Sequence, residues 1–392
     1  MEPLRGVTVV AFEQAVAAPY CTRMLADLGA RVIKVEQPGS GDFTRYFDQV
    51  ANGLAAHFVW LNRNKLSVTL DCKRAEARPA LDRLLDTADV VIQNLAPGAA
   101  KRLGLDAATL VAGRPRVVAV DISGYGTGGP LDHKRAYDLL VQAESGSCAI
   151  TGEADAPAKP GIPVADVGTG MQAAISILSA LFARSTTGRG AAIEVSLFDT
   201  TVDLLGFALV HALYTGEDRP PTGMGSPVVA PYGAYPTRDG RTVVLGTTND
   251  NEWQRLATRL LGRADLAEDP TLATNDQRCA QRERLDEALA AWTATLDLDE
   301  IAARADAAGI GNAVFNRVSD VVHHPQLTER DRWLDVGSAV GAVRAPRPPS
   351  IVAGWSTPTD PVPALGEHTD AVLAELGLTE AEIAALRVTG AV

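Results

Sequence analysis

Cysteine is scarce in this chain. The four that occur, at positions 21, 72, 148 and 279 of 392 residues, are far apart and form no CxxC pair. That spacing excludes a disulfide frame or a zinc knuckle and fits reduced thiols. Positive charge is also in short supply. Lys and Arg number 36 against 48 Asp and Glu, a formal net charge of −12. Binding to nucleic-acid phosphate or to an anionic membrane surface needs clustered cations, so neither partner is expected. Long apolar runs are missing as well: none approaches the roughly 18 residues that span a bilayer. The opening "MEPLRGVTVVAF" has no apolar signal core behind a basic start. The expectation is a soluble cytoplasmic protein.

Several catalytic signatures are absent too. There is no GxxxxGK[ST], no HExxH and no GxSxG. His323 and His324 are adjacent, so in a regular element they point to different faces and do not share a metal. The first turn after the opening strand reads "FEQAVAAPY" and holds no glycine, so a dinucleotide pyrophosphate could not approach the backbone there, even though Glu36 ends the second strand.

What is present is a regular alternation. "VTVVAF" (7–12) is a buried-strand pattern. Pro19 opens a helix that runs to Leu28, Gly29 closes it, and "RVIKVE" is a second strand ending at Glu36. "ADVVIQN" and "RVVAVDISGYG" follow in the same rhythm. Strands without polar alternation, separated by helices, predict a parallel sheet covered on both faces. A second block adds a helix after Asp166, the strand "AAIEVSLFD" and an apolar helix from about Thr200 to Tyr214. "GEDRPPTGMGSP" reads as a linker, and "AYPTRDGRTVVLGT" as a hairpin turning at Asp239–Gly240. Helices over 251–261 and 281–295 point to a small α+β domain. A Pro-rich extended segment over 343–363 leads back, and Thr379 with Glu382 forms a capping box for the last helix. The predicted boundaries are a large domain over 1–215, a linker over 216–226, a small domain over 227–330 and a return to the large domain over 331–392.

One stretch raises a chemical question. "GIPVADVGTGMQAA" (161–174) sets a lone carboxylate, Asp166, at the mouth of a helix with glycines behind it. It suits an N-cap, which accepts bonds from free backbone amides. It also suits a nucleophile. "SGYGTGGP" (123–130) is a glycine-rich loop after a strand, either a plain turn or a loop whose amides approach a ligand.

The surrounding segments favour the nucleophile, and the same helix-end geometry is expected to serve as the cap as well. "LADLGARVIKVEQPGSGDFTR", "LNRNKLSVTLD", "VIQNLAPGAAKRLGL", "DISGYGTGGP", "RAYDLLVQAESG", "ITGEADAPAKPGIPVADVGTGMQAA", "ALFARSTTGRG" and "LGEHT" follow one another in order. This series resembles the family III CoA-transferases (CaiB/BaiF), the group containing formyl-CoA:oxalate and carnitine CoA-transferases, across essentially the whole chain. The resemblance implies an α/β fold. A Rossmann-like large domain is built from both chain ends, a small α+β domain is inserted, and two chains form an interlocked homodimer. It implies acyl-CoA esters and carboxylic acids as substrates, with no cofactor and no metal.

By the same resemblance Asp166 is the nucleophile, forming a mixed anhydride that preserves the reactivity of the thioester. Amides near Gly168 and Gly170, or of a glycine loop, are expected to hold the oxyanion, and the helix N-terminus to keep Asp166 ionised. Tyr137 and Asp138 neighbour the nucleophile, with Asp138 standing where formyl-CoA transferases carry Glu. His57 occupies a place where the family often has an aromatic facing the acyl site. Lys73, Asn94, Arg102 and Arg135 match the CoA-binding positions. The Gln that formyl-CoA transferases carry in the first turn is replaced by Val16, with Gln14 two residues earlier, and their tetraglycine loop is missing. These departures disfavour oxalate. "GS…PYGAYPTRDG" instead resembles relatives that use succinyl-CoA with citramalate, mesaconate, itaconate or glutarate-type C4–C5 dicarboxylates. The alternative on this scaffold is an α-methylacyl-CoA racemase. Relatives of that kind carry His where this chain has Tyr137, and a Tyr with a pKa of about 10 is a poor base at neutral pH.

Overall fold

Strand β1 (Thr8–Phe12) shows how the apolar runs are used. A computed structural model describes residues 1–392. In it Val9 and Ala11 enter one core while Val10 and Phe12 enter another, on the opposite face of the sheet. Successive strand residues point to opposite faces, so a strand apolar at every position is a strand covered on both sides.

The chain runs β1, α1 (Ala17–Asp27), β2 (Arg31–Glu36), α2 (Ala56–Asn62), β3 (Lys65–Thr69), α3 (Arg78–Asp86), β4 (Val90–Gln93), α4 (Ala99–Leu103), α5 (Ala107–Gly113), β5 (Val118–Ser123) and α6 (Asp138–Glu144). A short hairpin, β6 (Gly152–Glu153) with β7 (Ala156–Pro157), precedes α7 (Val164–Thr187), β8 (Ala191–Ser196), α8 (Leu197–Leu204) and α9 (Gly206–Thr215). Six strands form one sheet in the order β3-β2-β1-β4-β5-β8, and every neighbouring pair is parallel. Helices α1 and α7 cover one face. Helix α3 covers the other, together with the C-terminal helices Thr369–Glu375 and Glu380–Val388. Val372, Leu373, Ile383 and Leu386 are buried in that second core, and the Asp71 amide donates to the Ala391 carbonyl at 2.8 Å.

Two compact units are present. The first takes Met1–Ser145, Gly161–Gly206 and Glu329–Val392; the second takes Gly146–Pro160 and Phe207–Thr328. The second unit therefore begins at Phe207, earlier than the boundary expected at 227, and also includes residues 146–160. The Gly223 amide donates to the Gly152 carbonyl, which ties the supposed linker to the β6–β7 hairpin. Its Gly- and Pro-rich composition imitates a free linker, although side chains hold it as well: Arg219 Nη1 donates to the Pro227 carbonyl at 3.4 Å. Within the second unit, β9 (Tyr232–Pro236), β10 (Thr242–Gly246) and β11 (Gly311–Val314) make an antiparallel sheet around a separate core that includes Trp253, Leu256 and Ile301. The Asp239–Gly240 turn joins β9 to β10, with Gly240 at φ +76°.

The apolar helix expected over 200–214 is two helices, α8 and α9. Helix α7, at 24 residues, is long and apolar enough by length and composition to cross a membrane. A search for unbroken apolar runs misses it because polar residues are spaced along it. Ala165, Ala173, Ala174 and Ile177 pack into the core, while Met171, Ile175 and Phe182 stay 44%, 56% and 78% exposed on another stripe.

Candidate active site

The strand order reverses between β1 and β4: from β1 the chain crosses to β2 and β3 on one side, and then to β4 and β5 on the other. In open parallel sheets a crevice forms beyond the carboxyl ends of the strands at such a reversal. Its walls are the turn after β1 and the loop after β4. Asn94 pins them together, donating through Nδ2 to the Gln14 carbonyl at 2.8 Å and accepting from the Gln14 amide at 2.9 Å. Ala15 sits in the left-handed region at φ 63°, and its amide donates to Asp42 Oδ1 at 3.3 Å.

Beneath this turn lies a fully buried ionic cluster. The Glu13 carboxylate accepts from Thr22 Oγ1 at 2.6 Å, from Lys65 Nζ at 2.8 Å and from Lys34 Nζ at 3.3 Å; Lys34 also donates to Asp42 Oδ2 at 2.8 Å. Buried ions persist when charge and hydrogen bonds are both compensated, and here two ammonium groups meet two carboxylates. Burial alone would raise the Glu13 carboxyl, but Lys65 and Lys34 outweigh it and hold it below the ordinary range. Burial, with Lys34 as a like charge, brings Lys65 down to about 8 against the pull of Glu13.

Asp166 enters from α7. It is not the cap of that helix: the N-cap position is Pro163, and Asp166 is the third helical residue. The capping carboxylate is Asp138, whose Oδ1 accepts from the amides of Ala165 at 3.0 Å and Asp166 at 3.3 Å. Its Oδ2 accepts from Gln142 Nε2 at 2.7 Å. The expectation that the helix end keeps Asp166 ionised is reversed by its surroundings. Burial, and then the Asp138 charge, push the Asp166 carboxyl up to about 7. The partial charge of a helix end is a weaker influence than either desolvation or a neighbouring carboxylate.

Asp166 opens into a hollow of about 240 Å³ at the strand reversal, walled by Gln14, Asn94, Ser123, Gly124, Arg135 and Tyr137 among others. Arg135 and Asp166 are its only charged residues, and Arg135 makes no ion pair. Lys73 lies in a second hollow of about 150 Å³ with Glu36 and Gln37, and the two hollows share Gln14 and Leu95.

Other expected residues fall elsewhere. Arg102 is exposed on α4 and lines neither hollow. His57, on α2, stands edge-on to Phe47 at 5.5 Å and Trp60 at 6.4 Å, away from the Asp166 hollow. The Val16 side chain is buried, and the wall is made by Gln14, Ala15 and Ala17 around it. Gly168 and Gly170 lie inside α7, where amides are spent on the helix ladder, so they do not donate into the hollow. Their role is packing. A Cβ on Gly170 would come within 2.5 Å of the Ala17 carbonyl, and one on Gly168 within 3.0 Å of Leu204 Cδ1. The glycine loop after β5 supplies the wall instead, at Ser123 and Gly124. The buried cluster under the first turn had one signal in the sequence, a lysine inside the apolar strand "RVIKVE", since such a charge demands an acid beside it.

A parallel sheet covered on both faces, with a carboxylate lining a hollow at its strand reversal, is the α/β architecture in which ligands are held beyond the strand ends. Residues 4–369 match CoA-transferase family III. The chain is 34% identical to the succinate–glutarate CoA-transferase of Agrobacterium fabrum, over 96% of this chain and 96% of that protein. It is 32% identical to the succinyl-CoA–D-citramalate CoA-transferase of Chloroflexus aurantiacus, over 98% and 97%. A crystal structure of a CAIB/BAIF family protein from Brucella suis, 35% identical, superposes with a TM-score of 0.83 over 95% of this chain and 99% of that one. The chain belongs to CoA-transferase family III, and its activity class is CoA transfer.

Proposed function

We propose that this enzyme moves CoA from succinyl-CoA, or another dicarboxyl-CoA, to a free C4–C5 dicarboxylic acid of the mesaconate, citramalate, itaconate or glutarate type, with Asp166 as the nucleophile. The observation that carries the reading is the hollow at the strand reversal, where Asp166 faces a single unpaired cation, Arg135. The printed substrates of the Agrobacterium and Chloroflexus relatives support the acid class.

The ionised Asp166 carboxylate attacks the thioester carbonyl; the C–S bond breaks and leaves an aspartyl-acyl anhydride and CoA thiolate. The thiolate attacks the aspartyl carbonyl, releasing the first acid and forming an aspartyl-CoA thioester. The acceptor carboxylate then attacks that carbonyl and expels the thiolate, which takes the new acyl group and regenerates Asp166. No proton is gained or lost in this cycle. A carboxyl titrating at about 7 is half ionised at neutral pH and more basic than an ordinary carboxylate, which favours attack. Placement supplies much of the rest, since held geometry can contribute about 7–11 kcal/mol.

CoA lies along the two adjoining hollows, with Lys73 and Asn94 beside it and Arg102 reaching its phosphates from α4. Arg135 meets the charge nearest the thioester, the far carboxylate of a dicarboxyl group. The chemistry calls for no metal or cofactor. The exposed stripe Met171, Ile175 and Phe182 on α7 is covered by a second copy of the chain.

The test is a scan of acids with succinyl-CoA as donor, oxalate included, together with hydroxylamine trapping. C4–C5 dicarboxylates should turn over and a hydroxamate should form at Asp166 but not in Asp166→Asn. Turnover confined to oxalate, or to aromatic or trimethylammonium acids, would overturn the substrate assignment. A hydroxamate that survives Asp166→Asn would overturn the mechanism.

A further inference from the structure

Asp42 is a buried carboxylate that the transfer chemistry does not use. It is 1% exposed and lines neither hollow. Its Oδ2 accepts from Lys34 Nζ at 2.8 Å. Its Oδ1 accepts from the Thr44 amide at 2.9 Å, from Thr44 Oγ1 at 2.8 Å and from the Ala15 amide at 3.3 Å. One side chain thereby joins two separate stretches of sequence: the first turn, and the 3₁₀ turn Phe43–Tyr46 that it caps. Both stretches wall the Asp166 hollow, through Ala15 and Phe43.

The first turn needs such a hold. Four residues other than glycine have positive φ: Asn52, Asn64, Asp331 and Ala15. Asn and Asp tolerate the left-handed region through local hydrogen bonds of their side chains, and alanine has none to offer. A residue in that region persists only where its surroundings over-determine it. Here the backbone is gripped from Glu13 to Ala15. The Glu13 carbonyl accepts from Lys34 Nζ at 3.4 Å, Asn94 engages both the amide and the carbonyl of Gln14, and Asp42 takes the Ala15 amide. Lys34 is fully buried and bonds to Glu13 and Asp42 alike, so its charge fixes both ends of the turn.

We propose that Asp42 is a positioning residue for CoA transfer. Anchored on Lys34, it locks Ala15 in the left-handed conformation, caps the turn that carries Phe43, and so sets the wall of the hollow in which Asp166 meets the acyl group. The inference rests on the reading of Asp166 as the nucleophile.

Asp42→Asn tests it, because a side-chain amide has a single oxygen: either Lys34, or the Ala15 and Thr44 amides, must then face an NH₂ group. Hydroxamate formation at Asp166, followed at saturating succinyl-CoA, should slow at least tenfold. Affinity for free CoA should change less than threefold, since Lys73 lies in the other hollow. Adding Ala15→Gly should recover part of the rate, because glycine takes positive φ freely. Ala15→Val, a β-branched residue at that φ, should slow acylation about tenfold with every charge of the cluster in place. It keeps the test decisive if Asp42→Asn fails to fold. Acylation at the native rate in either single variant, no recovery in the double variant, or a loss explained wholly by weaker CoA binding would overturn the proposal. Amide hydrogen exchange over residues 13–20 reads the same lock without turnover. It should quicken in both single variants, and unchanged exchange would also overturn the proposal. If the native protein forms no hydroxamate at Asp166, the nucleophile reading fails by itself, and the exchange measurement still decides whether Asp42 holds the turn.

Discussion

At the residue scale, the site turns on two carboxylates with different duties. Asp138 is engaged by two backbone amides and Gln142, whereas Asp166 is left with burial and a like charge. An Asp is ordinarily near 3.9 in the unfolded chain, and Asp166 is raised to about 7 in the fold. The folded state therefore holds that proton more tightly. Stability from the neutral form is complete below about pH 4 and is lost as pH rises to about 7. Denaturant titrations at pH 4.5 and pH 8 should show this loss in the native protein, and Asp166→Asn should abolish it. The rate of Asp166 acylation should have the opposite profile, rising about tenfold per pH unit up to about 7. Asp138→Asn removes one of the two causes, so the rising limb should move to lower pH. The substitution should fold, because the unpartnered Gln142 Oε1 can turn to accept from the new amide; an unmoved limb would leave burial as the sole cause. The place of Asp166 in the first turn of a helix was legible from its flanking motif. The raising of its carboxyl was not: Asp138 was expected beside it by resemblance, but the larger cause is burial, which only the packed fold supplies.

At the element scale, α7 shows how a helix is fitted against its neighbours. Gly170 lets it approach the start of α1, the element that follows the first turn of the site. Gly170→Ala would drive a methyl into the Ala17 backbone carbonyl. Overpacking of this kind costs typically about 1–3 kcal/mol, so a lower urea midpoint is expected, with slower acylation as the turn shifts. Gly168→Ala meets the ends of flexible side chains, Leu204 and Thr200, and should cost less; equal losses would show that the α1–α7 approach is not the sensitive contact. The strands were legible as apolar runs because both faces of the sheet are covered. The separation of α8 from α9, and the burial of Val16 behind Gln14, were not. Apolar periodicity does not register a one-residue break or the direction of a side chain in a turn.

At the scale of the whole molecule, the exposed stripe on α7 is the feature most in need of a cover. Three large apolar side chains at helical spacing, Met171, Ile175 and Phe182, face outward, and an unpartnered stripe of this kind marks an interface. Sedimentation should give a dimer for the native chain, and Ile175→Glu with Phe182→Glu should shift it toward monomer; an unchanged dimer would place the interface elsewhere. The order in which the chain is made adds a constraint of its own. The core behind β1 to β4 is closed by residues 369–391, which leave the ribosome more than 350 positions after the first strand. At about 5–20 residues per second, the nascent sheet waits many seconds with one apolar face open. The enzyme can become active only after synthesis has passed its final helix, and a chaperone that shields that face in the interval would raise its yield without changing its stability.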